Sequence, residues 1–140
     1  MRRLLSVALV LVLAVGVIQG AALAHESKQL GDWRVVFGMT PEPVITQSYF
    51  ITTWRFVDAN GDPVTGLRDL SVTIVKDGKA YGPLTVNASH STPGLYETPT
   101  VFETPGEYIF YLQGKRADGT SFSIDFHKLV QDASLFTVGG

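Results

Sequence analysis

The chain has 140 residues, 11% of them aromatic and none of them cysteine, with 11 Lys and Arg against 13 Asp and Glu for a formal net charge of −2. No basic stripe is present to make a nucleic-acid footprint or to hold the protein on an anionic membrane surface. Without cysteine there is no disulfide, thiol nucleophile, zinc–cysteine site or lipid-modified N-terminal cysteine.

The first predicted element is an export signal. Arg2 and Arg3 precede an apolar run over residues 4–18 and the small-residue stretch Gly20-Ala-Ala-Leu-Ala24, which is the order of a secretory leader. As a helix the apolar run spans roughly 22 Å, short of the roughly 30 Å hydrocarbon core of a bilayer. Ala22-Leu23-Ala24 fits the A-x-A cleavage pattern, so a cut there makes His25 the first mature residue. Removing Arg2 and Arg3 leaves nine basic residues against 13 acids, a formal charge of −4 on a chain of single-domain size. The expectation is a signal peptide over residues 1–24, a β-sandwich over 25–130 and a C-terminal tail over 131–140. The mature protein is then periplasmic or extracellular, with no membrane insertion after cleavage.

Downstream, strand patterns recur between turn signals roughly every ten residues, and helical periodicity is nowhere sustained. Residues 33–38 place Trp33, Val35 and Phe37 on one face, and Thr40-Pro-Glu-Pro43 ends the run because proline cannot donate to a ladder. Residues 47–57 form the longest strand, with Phe50, Thr52, Trp54 and Phe56 sharing a face before the turn Asp58-Ala-Asn-Gly-Asp-Pro63. Leu70, Val72 and Ile74 point inward from the next strand, and a short irregular segment over 81–86 belongs at a sheet edge. After the loop Ser89-His-Ser-Thr-Pro-Gly94, Pro99 demotes the strand over 95–102 to an edge position. Tyr108, Phe110 and Leu112 face the core from residues 107–113, and Tyr108 follows the Thr104-Pro-Gly106 turn, as in a tyrosine corner. Phe122, Ile124 and Phe126 do the same from 121–130. The fold class is all-β: an immunoglobulin-like antiparallel β-sandwich of about seven strands.

Candidate chemistry is sparse. Ser123, Asp125 and His127 include the residue types of a catalytic triad. Same-face positions on one strand nevertheless hold them too far apart for hydrogen bonds of about 2.6–3.2 Å. Glu103 and Glu107 flank a turn, where carboxylates are usually solvated. No G-x-S-x-G, His-Glu-x-x-His or phosphate-cradling glycine loop occurs. The expectation is a protein that is not an enzyme.

Metal binding has more support. A mature N-terminal His25 presents an α-amine and an imidazole nitrogen that close one chelate ring, and nitrogen donors favour Cu(II). Asp125 and His127, two apart on a strand, share a face with Cα atoms roughly 6.6 Å apart. His90 in its Ser-rich loop and Met39 at a strand end are weaker candidate ligands.

Trp54-x-Phe56-x-Asp-Ala-Asn-Gly-Asp-Pro-Val64, the block Pro105-Gly-Glu-Tyr-Ile-Phe110 and Glu42-Pro43 resemble the YtkA-like and CopC-type exported immunoglobulin-like domains of bacteria. The likeness covers most of the mature chain. CopC-type proteins imply one copper ion outside the cytoplasm, held as Cu(II) by the mature N-terminal histidine and an Asp-x-His pair. The matching positions here are His25 and Asp125-Phe-His127. The partner expected on this reading is the metal ion. The alternative is an accessory module without a metal, which binds another exported protein through a sheet edge.

Overall fold

The computed structural model describes residues 25–139; the expected leader over residues 1–24 and the last residue, Gly140, lie outside the described residues. In chain order the strands are β1 (Glu26–Leu30), β2 (Trp33–Thr40), β3 (Tyr49–Val57), β4 (Arg68–Lys76), β5 (Lys79–Thr85), β6 (Asn87–Ala88), β7 (Leu95–Val101), β8 (Gly106–Lys115) and β9 (Ser121–Val130). A short 3-10 helix, Ala133–Phe136, follows them. Two sheets form, ordered β1-β2-β3-β7-β6 and β5-β4-β8-β9. All their strand pairs are antiparallel. Among the described residues no helix is long and apolar enough to cross a membrane.

The core lies where the two inner faces meet. Trp54, Phe56, Val72, Phe110, Leu112 and Phe126 are fully buried. Phe37 stacks on Phe126 at 5.0 Å and packs against Phe110 and Trp54 at 5.0 and 5.8 Å, so a single ring bridges the sheets. Of the residues expected inside, Trp33 and Phe122 are only half-buried; they meet edge-to-face at 6.0 Å at the margin of the core. The tyrosine corner forms as its sequence predicts, with the Tyr108 hydroxyl donating to the Thr104 carbonyl at 2.7 Å.

The described residues form nine strands where about seven were expected, and the two additions have separate causes. β1 carries Glu26, Lys28 and Leu30 on its half-buried face, so it shows no apolar alternation. Its hairpin to β2 closes through Gly31 and Asp32, with Gly31 at φ 62°, a backbone region open to glycine at no steric cost. β6 is two residues long and pairs with β7 only at Glu97 and Tyr96. Residues 98–101 of β7 therefore stand as an open edge, which is where Pro99 can be tolerated.

Candidate functional site

The first and last strands are edge strands of different sheets, and they meet along one side of the sandwich. An edge strand presents main-chain N–H and C=O groups that have no ladder partner. Here β1 supplies side chains to those of β9. The His127 backbone N–H donates to Glu26 Oε2 at 3.0 Å, and Lys28 Nζ donates to the Asp125 carbonyl at 2.6 Å. Lys28 Nζ also lies 3.6 Å from Asp125 Oδ2 and 3.7 Å from Glu26 Oε1, and it sits over the Phe126 ring, 5.3 Å from its centroid. The charged face of β1 thus behaves as a side-chain strand, which explains why a half-buried segment is built from Glu and Lys.

Asp125 and His127 share the outer face of β9, as their spacing predicts. The His127 ring is held between two carboxylates: Nδ1 is 2.7 Å from Glu107 Oε1 on β8, and Nε2 is 3.5 Å from Asp125 Oδ2. Its ring nitrogens face these carboxylates rather than Ser123. With Nδ1–H donating to Glu107, a neutral imidazole keeps its lone pair on Nε2.

The remaining candidates lie apart from this cluster. The Nδ1 edge of the His25 ring rests on Gly38, where a Cβ would collide with it. Strand alternation from the inward-facing Glu26 places His25 on the outer face of the first sheet, away from Glu26's own carboxylate. Met39 is 1% exposed, so its thioether belongs to the core. His90 follows β6, at the edge of the sheet opposite β1, four strand spacings or about 19 Å away. Among the described residues no three His, Cys, Asp or Glu side chains gather as a metal ion requires.

Sequence reasoning found Asp125 and His127 but missed Glu26, Lys28 and Glu107. Only the i, i+2 Glu–Lys pair just after His25 could have signalled the first two. Glu107 was legible merely as an acid beside a turn, because its contact depends on the β8–β9 register, in which Ile109 pairs with His127.

A family model described as YtkA-like matches residues 27–113. The chain belongs to the YtkA-like family. The match begins after His25 and ends before β9, so it takes in Met39 and His90 but not His25, Asp125 or His127. Among solved structures, this YtkA-like chain is similar to a DUF4426 family protein from Pseudomonas aeruginosa, with a TM-score of 0.61 over 77% of this chain and 95% of that one. At 13% identity that likeness concerns the fold alone. No curated protein matches the chain.

Proposed function

We propose that this YtkA-like protein is exported and handles copper, holding one Cu(II) ion at its mature N-terminus. One observation carries the reading. Glu26, the residue after the expected first mature residue, hydrogen-bonds the backbone of His127, 101 positions away. With cleavage after Ala24, the second mature residue would sit at the Asp125–His127 pair, while the His25 ring lies on the other face of β1. The donors suit the metal: the His25 amine and imidazole, and the Nε2 lone pair of His127, are nitrogen ligands of the kind Cu(II) prefers. Glu107 at Nδ1 is the carboxylate partner that orients a ligating imidazole. Asp125 fits less well as a ligand, since the Lys28 ammonium already lies beside it. A role for His25 also requires its ring to leave Gly38, because Nδ1 is the atom that chelates with the amine. Bound copper would supply a carried or sequestered ion, and the reading is non-enzymatic.

The test is spectroscopic. Copper added to protein with an authentic His25 N-terminus is expected to give nitrogen hyperfine structure in electron paramagnetic resonance, weakened by His127→Ala and by one extra residue before His25. Identical spectra from all three proteins would overturn the site. A second reading, a protein-binding module without metal, is favoured by a different observation: an apolar cleft on the opposite side of the sandwich.

A further inference from the structure

The two lateral sides of the sandwich are chemically unlike. On one, Glu26 and Lys28 occupy the edge groups of β9. On the other, between β5 and the part of β7 that β6 does not reach, lies a cleft of about 450 Å³ lined by Ile74, Tyr81, Leu84, Pro99, Val101 and Tyr108. Tyr81, Leu84 and Val101 are exposed there, and β6 stops short of residues 98–101 of β7, which pair with β3 on one side and have no partner strand on the other. The open side presents the Pro99 and Val101 carbonyls and the Val101 N–H, Pro99 having no N–H to offer, and with an apolar cleft beside it this short edge accepts an extended segment with alternating apolar side chains.

The same chain carries a segment of that kind. Leu135, Phe136 and Val138 are 72%, 46% and 97% exposed, and no residue of the 3-10 helix is buried. Residues 133–139 hold no charged side chain. Thr137 is extended, at φ −80° and ψ 127°, which sets Phe136 and Val138 on one face if the extension continues. The segment leaves the fold beside the cleft: the Ala133 N–H donates to Thr46 Oγ1 at 3.0 Å, and the Gln47 N–H donates to the carbonyl of Phe102, a residue of the cleft wall.

We propose that this cleft binds the C-terminal segment, residues 135–139, of a second copy of the chain, which adds as a strand to β7 with Phe136 and Val138 in the cleft. In the structure the segment is folded back on itself by Asp132, Ser134 and Ala133, and its apolar side chains stand free of its own core. Because segment and cleft lie at the same end of the molecule, a twofold axis beside that end exchanges both segments at once. The product is a closed dimer rather than a filament. A few side chains in each of two clefts still make a small interface, so the association belongs to the weak class, with Kd on the order of 10 μM to 1 mM.

Sedimentation equilibrium of the chain from His25 onward tests this, since that chain contains the whole sandwich. The wild-type mass is expected to rise from monomer to dimer over that concentration range. Phe136→Ser/Val138→Ser and, separately, Leu84→Lys/Val101→Lys are expected to stay monomeric; these positions are exposed or half-exposed, so circular dichroism should show both variants folded. An equimolar mixture of the two variants pairs an intact segment with an intact cleft and is expected to recover part of the dimer. A wild-type protein that stays monomeric throughout, or a dimer that survives either pair of substitutions, would overturn the proposal.

Discussion

Trp54 is fully buried against Phe37, yet its indole Nε1–H has no acceptor. The ring therefore contributes by packing, against the cost of one unpaired buried donor, typically about 1–3 kcal/mol. Trp54→Ala should cost about 3–5 kcal/mol through the cavity it leaves. Trp54→Phe keeps much of the packing and removes the orphaned donor, so its cost should stay below about 2 kcal/mol. Urea unfolding of both variants checks this, and a loss under about 1 kcal/mol for Trp54→Ala would place that side chain outside the core. Tyr96 shows the opposite case of a satisfied polar tip, its hydroxyl donating to the Val64 carbonyl at 2.9 Å. Burial pushes that hydroxyl above the ordinary tyrosine value, against a smaller opposing effect of the Leu67 backbone. The folded state thus favours the neutral phenol. Its contribution is fully present below the unfolded value near pH 10 and is lost as pH rises through the higher folded value. Tyr96→Phe should cost about 0.5–1.5 kcal/mol at neutral pH and remove this part of the alkaline loss. Unfolding curves for the variant that fall with pH as steeply as those of the wild type would refute the assignment.

At the scale of elements, β1 is a strand whose work is done by charged side chains. Glu26→Ala removes the acceptor of the His127 amide and leaves that edge N–H to solvent. Amide hydrogen exchange at His127 should then quicken by about tenfold, with little change in global stability, because the bond is a half-exposed edge contact. Unchanged exchange would show that β1 does not guard the β9 edge. This strand also marks where the sequence stopped being readable. β2, β3, β4, β8 and β9 were legible because apolar residues at every second position can serve only a two-faced strand. In β1 the inward positions are Glu26, Lys28 and Leu30, so a periodicity that registers apolarity sees nothing. The candidate site was legible to the same depth. Asp125 and His127 share a face by local geometry, whereas Glu107 joins them through register and Glu26 through the meeting of two sheets.

For the whole molecule, the meeting of β1 with β9 decides how the sandwich ends on that side. A chain beginning at Trp33 lacks residues 25–32, and its loss exposes the open edges of both β2 and β9 together with the face of Phe126 that Lys28 covers. Leu30, half-buried against the core, goes as well, at about 1 kcal/mol for roughly half of a full burial. The larger consequence is colloidal. Two bare edges on one flank make a template for strand-to-strand association. The truncation is best made on the Phe136→Ser/Val138→Ser background, so that the opposite cleft contributes nothing. Light scattering should then report association that grows with concentration and that the full-length background protein does not show, along with a lower unfolding midpoint. If the truncated chain stays monomeric with an unchanged midpoint, the charged strand is dispensable to the fold. Its Glu26 and Lys28 would then have to be explained by what the N-terminus binds rather than by the edge they cover.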